Sequence, residues 1–187
     1  MPVAPLPRMA EAEYLAWEET QTEKHEFVNG EIVAMSGVSD AHNRVQVNLA
    51  GALIPRLRGS PCRLNLSELR VRIAETGLYA YPDLTIVCGP AEYAPTRPES
   101  LVNPRVIIEV LSEATANYDL GAKAAHYRHR PSVETLLFVD SRARLVQRQD
   151  RNPDGTWTLA EQTAGEVRLL DFVVPMDEIY EAVALSG

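Results

Sequence analysis

Arg105-Val106-Ile107-Ile108-Glu109-Val110-Leu111-Ser112 is the stretch on which the fold turns. Its β-branched run reads as a strand buried on both faces, yet it carries a glutamate in the middle. A carboxylate in that setting is costly unless a cation, a metal or a functional pocket receives it. Upstream, Tyr81-Pro82-Asp83-Leu84-Thr85-Ile86-Val87 is a second such run with Asp83 at its mouth. If the two strands are neighbours, both carboxylates converge on one edge of one sheet. Downstream, Asp119-Leu120-Gly121-Ala122-Lys123-Ala124-Ala125-His126-Tyr127 reads as a helix that ends before Pro131. Its four-residue spacing puts Asp119, Lys123 and Tyr127 on one stripe.

Outward from this centre, the remaining chain alternates helix and strand signals. Met9 to Glu19 predicts a short amphipathic helix packed on the outside. Asn29-Gly30 between two β-prone runs predicts a tight hairpin. Ser39 or Asp40 is placed to cap a central helix from about Ala41 to Leu57, with Val45, Leu49, Ala52 and Leu53 on its apolar face. Leu69 to Ile73 alternates as a strand, with a turn at Glu75-Thr76-Gly77. Gly89 to Asn103, rich in proline, predicts an exposed loop able to act as a flap. Glu134 to Asp140 reads as a buried strand that pairs with Ala143 to Arg148. Beyond about residue 150 the pattern suggests a peripheral β-meander and a small helix from about Pro175 to Val183.

Composition sets outer bounds. The chain has 187 residues, 45% hydrophobic and 24% charged, which suits one globular domain preceded by a short lead at residues 1–8. No apolar run is long enough to span a bilayer, and the N-terminus lacks the features of a signal peptide, so the expected location is cytoplasmic with no membrane partner. Cys62 and Cys88 have no zinc-ligand spacing and are expected to be two buried thiols. The net charge of −8 opposes non-specific attraction to a polyanion. Arg56, Arg58, Arg63, Arg70 and Arg72 form a basic run that reads as solvated surface. Exposed strands near the C-terminus leave room for a homodimer or higher homo-oligomer.

Phosphoryl transfer assisted by a divalent ion needs at least two oxygen anions close together, because Mg²⁺ prefers hard oxygen ligands and keeps several waters. Asp83 and Glu109 supply that pair, with the Val110 backbone carbonyl as a third ligand. Lys123 could orient or help deprotonate the attacking water and stabilise phosphate charge. Simpler readings stand beside this one. Asp83 could merely open a strand, Asp119 and Lys123 could form an exposed ion pair, and Glu109 could pair with an arginine. No Gly-rich phosphate loop, zinc-protease motif or nucleophile elbow is present, and nothing local supports a Ser112–His126–Asp140 triad.

The ordered set Pro82-Asp83, Glu109-Val110-Leu111-Ser112 and Asp119…Lys123…Tyr127, with Glu26…Asn29-Gly30-Glu31 and His42 upstream, resembles the putative restriction endonuclease family within the PD-(D/E)XK nuclease superfamily. The resemblance implies an α/β (α+β) fold, a mixed central sheet flanked by helices. It also implies metal ligation by Asp83 and Glu109, with Mg²⁺ (Mn²⁺ able to substitute) as cofactor, no organic cofactor, and DNA as substrate. The superfamily pattern expects a lysine where this chain has Leu111, and Lys123 resembles its relocation to the following helix. Glu31, in preference to Glu26, would match an additional N-terminal acid, with strand register deciding between them. His42 either faces the same cleft or serves as a capping or surface residue. The rival expectation is a catalytically inactive nucleic-acid-binding or structural module that keeps the nuclease fold.

Overall fold

The computed structural model describes residues 8–35 and 37–185, so all but the last residue of the N-terminal lead lies outside the described residues. In chain order the elements begin with α1 (Glu11–Glu18), β1 (His25–Val28), β2 (Glu31–Ala34) and α2 (Asp40–Leu57). Next come β3 (Cys62–Leu66), β4 (Arg70–Ile73), β5 (Leu78–Ala80), β6 (Leu84–Cys88), β7 (Ser100–Leu101) and β8 (Val106–Leu111). A helical run then passes from α3 (Ala116–Tyr118) through a π turn (Asp119–Lys123) into α4 (Ala124–Arg128). The chain closes with β9 (Thr135–Asp140), β10 (Val146–Arg151), β11 (Trp157–Gln162), β12 (Glu166–Leu169), β13 (Phe172–Pro175) and α5 (Met176–Ile179).

β8 lies inside a six-stranded mixed sheet of order β11-β10-β9-β8-β6-β3, parallel to β9 and antiparallel to β6. All six of its side chains are buried, as a strand covered on both faces requires. Alternation then divides it. Val106, Ile108 and Val110 enter a core built with α2, β12, β13 and α5, whereas Ile107 and Leu111 enter a second core with β4, β5 and Tyr127. The second core is closed by a five-stranded sheet of order β2-β1-β5-β4-β7. On that sheet's far side, Tyr14 of α1 stacks on Phe27 with ring centroids 4.7 Å apart. The fold is thus α+β, with mixed sheets flanked by helices.

Local chemistry accounts for the elements that frame the site. Asn29 and Gly30 both take positive φ, 48° and 92°, which closes the β1–β2 hairpin through a two-residue turn whose twist matches the strands. Ser39 caps α2 by accepting from the His42 backbone N–H at 3.2 Å. Val45, Leu49, Ala52 and Leu53 are all buried along that helix, as their spacing predicts.

Several expectations need correction. The loop from Gly89 to Asn103 is not a free flap: it contributes β7, parallel to β4, and Arg70 holds it through Ser100 Oγ at 2.9 Å and the Pro98 carbonyl at 2.9 Å. Arg70 is therefore no part of a solvated basic surface; it is 1% exposed beneath the rings of Tyr14 and Tyr79. The segment after residue 150 is not peripheral, since β11 extends the central sheet and Val167, Leu169, Val174, Met176 and Ile179 sit in its core. Cys62 and Cys88 are not free thiols but a cross-strand disulfide, brought opposite each other by the β3–β6 register. Their distance in sequence hid a pairing that only strand alignment creates.

Leu53→Ala, at a fully buried position of α2, should cost about 2–5 kcal/mol through lost burial and a residual cavity. Ile54→Ala, one residue on and 48% exposed, should stay within about 0.5 kcal/mol. Urea-unfolding midpoints compare the two, and equal losses would contradict the assigned orientation of α2.

Candidate active site

The β6–β8 register pairs Leu84 with Ile108, so Asp83 meets the sheet just before the paired run, across from Glu109. Asp83 Oδ2 accepts the Val110 backbone N–H at 2.7 Å, which ties the two strands together at this edge. His42 Nε2 lies 3.3 Å from the same oxygen, and Gln46 donates to the Asp83 carbonyl at 3.1 Å. The first two turns of α2 therefore fix Asp83 from one side. The cleft they line, of about 260 Å³, also receives Glu26, Glu109, Asp119, Lys123 and Val110.

Lys123 is the centre of the cluster. Its Nζ stands 2.7 Å from Glu26 Oε1, 3.0 Å from Glu109 Oε1 and 3.4 Å from Asp119 Oδ1. Tyr127 donates its hydroxyl to Glu109 Oε1 at 2.7 Å, so the predicted stripe of Asp119, Lys123 and Tyr127 does converge on Glu109. The sequence suggested an ordinary α-helix here. Instead Asp119–Lys123 is a π turn, a widened turn often found at functional sites, and both of its ends are buried in the cluster. The alternative of an exposed Asp119–Lys123 pair is excluded, because both side chains are almost fully enclosed.

Glu31 and Glu26 are separated by position rather than by face. The hairpin pairs Val28 with Glu31 and Glu26 with Val33, so both acids project to the same side of the ribbon. Glu31 sits beside the turn, exposed and ion-paired with Arg8. Glu26 sits at the far end of β1, 3% exposed, where it also accepts the Tyr81 backbone N–H at 3.2 Å. The structure thus brings in Glu26 and leaves Glu31 outside. The two-residue turn sets only that the two acids share a face; the docking of the ribbon selects between them. Tyr118 escaped notice in the sequence; it lines the cleft beside Lys123, whose Nζ is 5.9 Å from its ring centroid.

The charge balance is uneven. Four carboxyl groups, of Glu26, Asp83, Glu109 and Asp119, line a cleft with one ammonium, and three of them contact it. Burial pushes the Glu109 carboxyl up to about 8, with Lys123 opposing the shift and the neighbouring acids adding to it. Burial also raises Asp119 against the pull of Lys123. For Lys123, burial alone would lower the pKa, but Glu109, Glu26 and Asp119 together carry it well above the ordinary value. The charged form of Lys123 is thus favoured in the metal-free cluster, which speaks for its charge-stabilising role.

A mixed sheet whose adjacent strands present an aspartate and a glutamate at one edge, with a lysine from the next helix, defines a restriction-endonuclease-like protein. The chain belongs to the family described as "Putative restriction endonuclease", whose profile matches residues 11–177. At the family level it is a nuclease. Two proteins of Synechocystis sp., both described as uncharacterized, are each 34% identical to it. One alignment spans 98% of this chain and 97% of the relative; the other spans 86% and 91%. A crystal structure from Anabaena variabilis, described as a putative nuclease belonging to DUF820, superposes with a TM-score of 0.68. That alignment covers 88% of this chain and 93% of the other at 13% identity, a likeness of fold.

The raised Glu109 pKa has a direct stability consequence. Between about 4.5 and about 8 the folded state holds a proton that the unfolded state has released, so the metal-free protein should lose stability as pH rises through that window. Lys123, raised above its ordinary value, keeps its contribution throughout the same window. Urea midpoints measured from about pH 5 to about pH 8 should fall for wild type and fall less for Glu109→Gln. Parallel curves for the two proteins would refute the assignment.

Proposed function

We propose that the chain is a metal-dependent endonuclease that hydrolyses DNA phosphodiester bonds, using Mg²⁺ or Mn²⁺ held by Asp83 and Glu109. One observation carries the reading: Lys123 Nζ, delivered by the helix after the strand, lies 3.0 Å from Glu109 Oε1. This is the charge that Leu111 cannot supply.

The donor set fits a hard divalent ion. Asp83 meets Val110 N–H and His42 through Oδ2, and Glu109 meets Tyr127 and Lys123 through Oε1, so Asp83 Oδ1 and Glu109 Oε2 are the oxygens outside those contacts. The excess of carboxylates over cations also favours a further positive charge. No group of three or more His, Cys, Asp or Glu side chains among the described residues forms a complete metal cage. Two carboxylates suffice for Mg²⁺, which commonly completes its shell with water and substrate phosphate. Bound there, such an ion supplies Lewis-acid polarisation of a phosphoryl oxygen and lowers the pKa of water.

The chain's own residues have separable tasks. Tyr127 and Lys123 both hold Glu109 by Oε1 and fix its orientation. Val110 N–H and His42 do the same for Asp83 through Oδ2. Lys123, an ammonium, favours the negative charge that develops on the phosphoryl oxygens as a water oxygen bonds to phosphorus, losing a proton to solvent, and the P–O bond to the leaving strand breaks, the departing oxygen taking a proton from solvent. Glu26 and Asp119 restrain the ammonium from the opposite side.

Purified protein should cut DNA, assayed on single-stranded, duplex and branched forms, with Mg²⁺ or Mn²⁺ and stop when EDTA is added. Asp83→Asn should lower the rate by about 100-fold or more, since even residues that only support metal ligands contribute about 10–100-fold. Cleavage that survives both EDTA and Asp83→Asn would sink the proposal. The inactive binding module corresponds to a different outcome, in which wild type binds DNA and yields no cut product with either ion.

A further inference from the structure

We propose that the cleft accepts a single unpaired strand, so that the substrate is single-stranded DNA or the unpaired arm of a junction rather than intact duplex. This rests on the nuclease reading above and adds the form of the substrate.

Three features of the cleft lead to it. The first is depth. Glu109 and Lys123 are 3% and 4% exposed, so the scissile phosphate has to enter the cleft to approach them. At about 260 Å³ the cleft is at the small end of ligand pockets, which run from about 300 to about 1,000 Å³. A flexible strand can be drawn into such a space, whereas a duplex keeps its phosphates on a stiff backbone.

The second feature is charge. Tight duplex binding rests on arginines and lysines that neutralise about 6–10 phosphates. Among the described residues lining this cleft, Lys123 is the one Lys or Arg side chain, and three carboxylates already engage it. The protein as a whole carries −8. Phosphate attraction therefore contributes little here beyond the bound ion.

The third feature is the wall. Val33, Met35 and Val38 line one part of the cleft, Tyr81 and Tyr118 another. Met35 and Val38 are 38% and 61% exposed, an apolar mouth beside an anionic floor. Apolar and aromatic surfaces are what unpaired bases stack on, and a duplex hides those base faces.

The test uses one labelled sequence in three forms: single strand, full duplex, and duplex with an unpaired flap. With Mg²⁺, the single strand and the flap arm should be cut at least about tenfold faster than duplex, a difference of about 1.4 kcal/mol. Fluorescence anisotropy in Ca²⁺ should rank affinities in the same order, with a shallow salt dependence for the single strand. Tyr118→Ala should weaken single-strand binding about fivefold or more, as expected for loss of one stacking face. Val38→Asp, at an exposed position that leaves folding intact, should weaken it in the same direction. If duplex is cut and bound as well as single strand, or if both variants bind normally, the inference is overturned while the nuclease reading stands. If no form is cut with any divalent ion, the nuclease reading fails, and the anisotropy ranking still decides whether the cleft selects an unpaired strand.

Discussion

The ammonium of Lys123 is the charge on which the site end of the molecule depends. It joins Glu26 from the small sheet, Glu109 from the central sheet and Asp119 from the helical run. Without it, three buried carboxylates from three elements would repel one another in a medium that screens poorly. With it, they hold the small sheet, the central sheet and the helix in one register. The cost of burying such a group is accepted in few places in a fold, and function is the usual reason.

That constraint explains local features that otherwise look arbitrary. The helix after β8 widens into a π turn between Asp119 and Lys123, the two residues that must both reach the cluster. Tyr127 follows one turn later and donates to the Glu109 oxygen that Lys123 also approaches. On the other side, α2 brings His42 to Asp83 from the opposite core. The site therefore forms where the two cores meet at the sheet edge, and a change in either layer is felt there.

Much of this was legible in the residues. The buried glutamate of β8, the aspartate opening β6, the capped apolar stripe of α2 and the Asn-Gly hairpin follow from periodicity and turn chemistry, which act over a few neighbouring residues. The ordered motif pointed to the nuclease fold, and the lysine on the following helix does approach Glu109. Less visible were pairings between distant segments. The Cys62–Cys88 disulfide, the docking of the 89–103 loop by Arg70 and the inclusion of β12, β13 and α5 in the core depend on alignment across the sheets.

The two hairpin acids mark the boundary between the kinds of information. The sequence by itself determined that β1 and β2 close on Asn29-Gly30, because only residues tolerant of positive φ permit that turn. It thereby also determined that Glu26 and Glu31 share a face. Only the tertiary structure decided that the end of the ribbon carrying Glu26 lies against Lys123 while the turn end reaches solvent. The same holds for protonation. A glutamate in an apolar strand is a feature of the chain, but its raised pKa and the favoured charge of Lys123 arise from burial and from neighbours that include Glu26 on another sheet, far away in sequence. Electrostatic energy depends on distance and dielectric, and both are properties of the folded molecule.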